Sequence, residues 1–574
     1  MNKTALRVVF AALAVCLICC DLSAQKPPKW LEKAGNAVVT VEVHDANGAV
    51  RRGNGFFIGA GGEAVSDYTL FEGASQAFVT DAAGNRMSVT RILGADKIYD
   101  VIRFKVETPK KYDYLEQADV EPDTGAEAII LSFGTNKNAT PLKGSILENT
   151  KIRNTYGYYK IDANLQATQI SLPLVTSDGK VFAMTQADAS GKNKTYGIST
   201  RYISSIVIGA TDLWNNVYSS IAIRKAWSPS PDDARIALIF LASQQDAPTY
   251  LETLNDYIAT FPNVSDGYSQ RASHYAYHRK ELAADEAGQS HILNLAKQDM
   301  ESAIKYAEDE ADAYYDFAKL VYGVATADTV APPAGWDLDV ALDYLQKAVK
   351  KDDKPLYHQL EGDIALYRDE FEKAYGIYSY INSTPFATAA TYYLAAKAKQ
   401  QIPGANPIEV IALIDSAAQK CLPSEALPYL EESAELKMER GMYEAAARDY
   451  DRIYSLMAGN VSDAFYYLRE QARFRQGDFD GALNDIGTAV RMQPENAVYH
   501  AEMASVYLRR QEPAKAQECA ERAITLEPDF ASAHRLLGVC YLRLERKDEA
   551  CQAFSKADEL GDPVVKRLIQ ENCK

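Results

Sequence analysis

The chain has 574 residues, 61 basic against 78 acidic, and a formal charge of −17. That length implies several domains or one elongated array. An acidic chain without a basic cluster excludes nucleic acid and anionic lipid as expected partners, because phosphate contacts need Lys and Arg on one face. Solubility accounts for the charge more simply than recognition of a basic partner does.

Residues 1–24 read as an export signal. Lys3 and Arg7 supply the positive end, and "VVFAALAVCLICC" an apolar run too short for a stable membrane span. Leu22-Ser23-Ala24 before Gln25 fits a cleavage site, and cleavage there leaves 550 residues with a charge of −18. A lipid anchor through Cys20 ranks below simple cleavage, since Cys19 stands where a small Gly, Ala or Ser is wanted. No second apolar run of membrane length follows. The expectation is a soluble protein of the periplasm or cell surface, not an integral membrane protein.

Residues 31–210 read as β. Short alternating or apolar segments such as "AVVTVEV", "GNGFFIG", "DVIRFKV" and "AEAIILSFG" are punctuated by Asn47-Gly48, Gly61-Gly62, Gly84-Asn85 and Asp178-Gly179. This spacing predicts a barrel or sandwich of about 180 residues.

Three windows in that region carry more. "GNGFFIGAGGEAVSDYTLFEGA" (53–74) follows the pattern G-x-G-F-I-I-x-x-x-G-x-I-L-T-N-x-H-V-V-x-G-A at Gly53, Gly55, Phe56, Ile58, Gly62, Gly73 and Ala74. "GADKIYDVIRFKV" (94–106) follows A-D-x-x-x-D-L-A-V-L-K-V at Asp96 and Asp100. "DANLQATQISLPLV" (162–175) follows D-A-x-x-x-x-G-N-S-G-G-P-L-V at Asp162, Ala163, Pro173, Leu174 and Val175. Together they resemble the chymotrypsin-fold peptidases, the bacterial HtrA-type envelope proteases especially. The resemblance implies a double β-barrel with a Ser-His-Asp triad.

The triad positions depart from the family. The histidine's place is Thr69, the aspartate's is Asp100 and the serine's is Ile170. Hydrolysis needs a nucleophile, a base and a group to orient that base. Thr69 cannot be the base, and Ile170 has no nucleophile. The glycines that open the oxyanion loop are replaced by Thr168, Ser171 and Leu172, which crowd the substrate. His44 is the lone histidine of residues 31–210 and reads as a strand-end residue. Ser171, one place beyond the nucleophile, would be redirected and still lack a base.

From about 231 the period becomes helical. Ala482, Ala516 and Ala550 are 34 apart, as are Ala489, Ala523 and Ala557, Pro494 and Pro528, and Tyr507 and Tyr541. These marks resemble the tetratricopeptide repeat (TPR). The small residues let two antiparallel helices approach, and the prolines close each unit. Residues 231–430 read as divergent repeats, 431–563 as well-formed ones and 564–574 as a capping helix, for eight or nine hairpins. Tyr314-Tyr315, Tyr392-Tyr393 and Tyr466-Tyr467 read as repeat packing, some of them facing a partner.

The fold class is therefore multidomain, an all-β trypsin-like double barrel followed by an all-α TPR solenoid. Outside the signal the cysteines are Cys421, Cys519, Cys540, Cys551 and Cys573. An odd count leaves at least one thiol free or paired between molecules, and no pairing is assignable. His274 and His278 would share a helix face, but Tyr275 stands where zinc proteases carry an acid, so no metal site is expected. No phosphate loop is present, and no cofactor is predicted. The expected function is an exported non-catalytic scaffold that binds protein or peptide partners through its TPR array. The alternative is a serine-type endopeptidase with a rebuilt active site.

Overall fold

A computed structural model describes residues 29–108, 112–132, 141–166, 169–186, 188, 194–327 and 333–573. The signal segment 1–24 lies outside them. They form two compact units that divide between Ala307 and Glu308.

The first unit opens with two closed barrels. The first is built from β1 (Val38–Asp45), β2 (Val50–Gly59), β3 (Glu63–Ser66), β4 (Ala74–Thr80), β5 (Arg86–Asp96) and β6 (Val101–Val106). The second is built from β7 (Glu127–Ile130), β8 (Leu142–Ile152), β9 (Tyr156–Ile161), β10 (Pro173–Val175), β11 (Val181–Gln186) and β12 (Thr195–Ser199). The strands run β1-β2-β3-β6-β5-β4 around the first and β7-β8-β9-β12-β11-β10 around the second. The two orders are the same, shifted by six.

Alternation along the strands sorts the side chains. Val39, Val41 and Val43 of β1 fill the first barrel with Phe57, Ala64 and Phe104. Residues of opposite parity, Val38, Phe56, Val65 and Val101, join the core of the second barrel instead. Each such apolar side chain contributes about 1.5–3 kcal/mol on burial, so the seam between the barrels is a core in its own right. Gly55 is required there: a Cβ would sit 2.6 Å from the Val65 carbonyl oxygen.

Residues 211–226, which the sequence leaves between its two regions, pack with Ile208 against the first barrel. Ile208, Tyr218, Ile221 and Ile223 are in its core. The Ile92 amide donates to the Arg224 carbonyl, and the Ala226 amide to that of Ile92, each at 2.8 Å. The β5 residue Arg91 pairs with Asp256 of the helix Ala247–Thr260.

The helices carry local start signals. Ser230 caps Pro231–Ala242 and Asn406 caps Pro407–Lys420, each ahead of a proline at the first helical position. Among the described residues two hairpins lie in the first unit and seven in the second, followed by the helix Val565–Asn572. The double barrel followed by a TPR-like helical array is the fold class read from the sequence.

The 34-residue marks have a geometric basis. Ala482, Ala489, Ala516, Ala523, Ala550 and Ala557 are all fully buried. Each first helix of the last three hairpins ends on a left-handed residue, Gly477, Gln511 and Glu545. The next amide, of Asp478, Glu512 and Arg546, reaches back to the carbonyl of Arg473, Tyr507 and Tyr541. The carbonyls of Pro494 and Pro528 accept from His500 and His534 Nε2 at 2.9 and 2.8 Å.

The tyrosine doublets divide their work. Tyr315 stacks on Tyr357, Tyr393 meets Tyr429 and Tyr467 meets Tyr499, each contact joining first helices of successive hairpins. Tyr314 and Tyr466 turn to the second-helix residues Tyr344 and Tyr454. The pairing open in the sequence is Cys551–Cys573, which ties the final helix to the last hairpin. Cys421, Cys519 and Cys540 are free, the last two buried with their thiols pushed up to about 11 and about 12 by desolvation.

Candidate functional site

The seam between the barrels collects the three triad positions from separate elements. Thr69 lies on the short helix Tyr68–Phe71 that follows β3. Asp100 lies in the β5–β6 turn with a φ of +50°. Ile170 leads into β10 of the second barrel.

The structure brings Thr69 and Asp100 together. The Thr69 amide donates to Asp100 Oδ1 at 2.7 Å, and its hydroxyl donates to the same oxygen at 2.9 Å. The threonine thus makes the contacts that a base would make to an orienting aspartate, with no nitrogen to pass a proton on. Across the seam, the Ile170 carbonyl accepts from Asn54 Nδ2 at 2.9 Å. Ser66 Oγ donates to the Asn54 carbonyl at 2.7 Å.

Ser171 is turned inward. Its φ is +59°, and its hydroxyl donates to Asp67 Oδ1 at 2.7 Å. Ser171 is 1% exposed and Asp67 8%, so a substrate carbonyl has no approach to that hydroxyl. Burial raises the Asp67 carboxyl above its ordinary range, and the Asp100 charge adds to this against the Ser171 hydrogen bond.

The segment after Ile170 is tied to β11. The Ser171 amide donates to the Thr185 carbonyl at 2.8 Å, and the Leu172 amide to Thr185 Oγ1 at 2.9 Å. Thr185 Oγ1 in turn donates to the Gln169 carbonyl at 3.2 Å. These bonds fix the backbone just after the Ile170 position to the β11 residue Thr185. Thr168 lies outside the described residues.

His44 pairs with Glu42, Nε2 to Oε1 at 2.9 Å, on β1 itself. His274 is buried and held towards its neutral form by desolvation. Its Nε2 donates to the Ala247 carbonyl at 2.8 Å, while His278 Nδ1 meets Glu281 Oε1 at 2.9 Å. No group of three His, Cys, Asp or Glu side chains suited to a metal ion occurs among the described residues.

Sequence reasoning missed Asp67, Asn54 and Thr185. Asp67 had a signal, since it falls where the first window's pattern has Asn. Asn54 and Thr185 had none, because each acts through a partner more than a hundred or more than ten residues away.

Comparison with known proteins bears on the helical end. The tetratricopeptide repeat family model matches residues 501–563. The Small glutamine-rich tetratricopeptide repeat-containing protein 2 of Saccharomyces cerevisiae is 29% identical over 95 residues. That alignment takes in 16% of this chain and 28% of the yeast protein's length. Among solved structures, the active form of the Rv3671c protease from M. tuberculosis aligns at 17% identity and a TM-score of 0.27. It covers 31% of this chain and 85% of that one. No helix among the described residues is long and apolar enough to cross a membrane.

Proposed function

We propose that this protein is an exported, non-catalytic scaffold. Its double barrel is a trypsin-like peptidase fold, of the HtrA type in its motifs, that no longer cuts. Its TPR array binds protein or peptide partners. The observation that carries the reading is the Thr69–Asp100 pair: the aspartate stays, and a residue without a titratable nitrogen fills the base position. The buried, inward-turned Ser171 hydroxyl, bonded to Asp67, supports it independently. The helical half supports partner binding, because repeats of this kind present successive first helices to extended segments. Export is supported by residues 1–24 and by the Cys551–Cys573 disulfide, which suits an oxidising compartment.

The test is a hydrolysis assay on the chain from Gln25 onwards, with unfolded casein and a serine-reactive fluorophosphonate. The expected result is neither turnover nor labelling. Labelling that disappears in Ser171→Ala would replace this reading with a serine-type endopeptidase whose site is rebuilt around Asp67.

A further inference from the structure

The first unit holds a cavity that none of the triad positions touches. It is lined by the segment 213–227, which follows the second barrel, and by the helices Pro231–Ala242 and Ala247–Thr260 with the turn between them. Its volume is about 440 Å³. Small-molecule sites span about 300–1,000 Å³. Ser219, Gln244 and Thr249 line it and are exposed, so it opens to solvent.

Two tryptophans and two leucines make its apolar wall. Trp227 is fixed in place: its Nε1 donates to Asp256 Oδ2 at 2.9 Å, and its ring meets Tyr257 edge-on at 5.4 Å. Trp214 is 36% exposed, with its Nε1 donating to Gln244 Oε1 at 3.2 Å. Leu213 and Leu241 complete the wall.

The charges around this cavity do not balance. Asp256 is the one carboxylate among its lining residues. Arg91 holds Asp256 through two hydrogen bonds, and Arg224 lies 3.6 Å from it. Arg224 also reaches the exposed Glu252 at 4.0 Å. Lys225 lines the cavity as a third cation, and among the described residues no carboxylate pairs with it. Its Nζ donates to the Ile221 carbonyl alone. Burial lowers the pKa of this ammonium, with no neighbouring charge to offset the effect. A part-buried cation without a counter-charge, on the lining of an open apolar cavity, is a place for an anion from outside.

We propose that this cavity binds a monocarboxylate with an apolar body, its carboxylate paired with Lys225 and its body lying against Trp214 and Trp227. The unmatched charge fixes the class. Both arginines are spent on acids of the protein, which leaves one cation for one negative charge and too few donors for a phosphate. The tryptophan rings offer broad faces to an aromatic or aliphatic body. A free organic acid and the C-terminal residue of a peptide share this chemistry. The site stands whether or not the barrels cut.

Calorimetric titration of the chain from Gln25 onwards tests this, with butyrate, phenylpropionate and indolepropionate, each beside its amide. At least one acid should bind saturably, and about tenfold more tightly than its amide. Lys225→Met keeps the stem and removes the charge, so it should abolish that preference, while Lys225→Arg should retain it. Lys225→Met should melt no lower than the wild type, because burial already disfavours the ammonium. Trp214→Ala should weaken acid and amide alike, which ties binding to this cavity. A tripeptide ending in phenylalanine, as free acid and as amide, separates the sources. Preference for its free acid makes a chain end a ligand, and its failure to bind where phenylpropionate binds makes the ligand a small acid. No saturable binding of any acid, or a preference for acid that survives Lys225→Met, overturns the proposal.

Discussion

Ser171 and Asp67 are joined across the two barrels by a buried hydrogen bond of 2.7 Å. The serine leads into β10 of the second barrel, and the aspartate follows β3 of the first. Ser171→Ala leaves the Asp67 carboxylate without its best donor. The expected cost is about 1–3 kcal/mol in urea unfolding. Because the Asp67 carboxyl is raised by burial, its charged form is the unfavourable one. The penalty should therefore shrink in acid, where Asp67 is protonated, and grow as pH rises.

Restoring two residues should not restore a protease. Thr69→His with Ile170→Ser supplies a base beside Asp100 and a hydroxyl. The glycines that open the oxyanion loop are still replaced by Thr168, Ser171 and Leu172. A lost oxyanion donor costs about a hundredfold to a thousandfold in turnover. The double variant should remain at background on casein, and any fluorophosphonate labelling should map to the hydroxyl introduced by Ile170→Ser and to no other serine.

Glu470 makes stability depend on pH in an unusual direction. Burial raises its carboxyl to about 8 when folded, so the folded state holds the proton that the unfolded state releases near the ordinary glutamate value. Its contribution is most favourable below that value and is lost as pH rises towards 8. At about 1.4 kcal/mol for each pH interval of one, the loss is on the order of 5 kcal/mol. Glu470→Ala should raise the melting temperature most at pH 8 and flatten the profile between pH 5 and 8.

Gly538 packs face to face with Phe554. A Cβ there would lie 2.4 Å from a ring carbon, too close for any real contact. Gly538→Ala should cost about 1–3 kcal/mol from overpacking. Gly362 opposes Tyr378 in the same way, its Cβ 2.9 Å from the ring. Ala504 is the counterpart that shows the rule, because the residue sixteen places on is Ala520 rather than an aromatic. Pairing Gly538→Ala with Phe554→Leu should recover part of the loss in thermal melts.

The Cys551–Cys573 bond closes a 22-residue separation around the final helix. Replacing both cysteines by serine should lower stability by about 3 kcal/mol on the chain-entropy account. Limited proteolysis should then remove Val565–Asn572 first, whereas the oxidised protein should keep it.

Local chemistry explains what the sequence made legible. Strand alternation in "AVVTVEV" and the alanine spacing at 482, 516 and 550 are short-range patterns with a direct packing cause. The register of Thr69 against Asp100 was legible because both windows keep family landmarks. The rest depends on contacts between distant residues. Residues 211–226 carry no strand alternation, and they join the first barrel through backbone bonds to Ile92. The cysteine count could not choose a pair. Glu470 was legible in principle, since stepping 34 residues back from Ala504 lands on it, but the repeat draws the eye to the positions that match.

The equal strand order of the two barrels has a bearing on history. Duplication of one six-stranded unit leaves that order behind. A site assembled at the junction of two copies has half its parts in each: Thr69 and Asp100 from the first, Ile170 from the second. Either half can change while the other stays intact. On the proposed reading both have changed, and a return to hydrolysis would need separate events in both copies, neither of which brings any benefit alone. Selection would then keep the barrels for their shape.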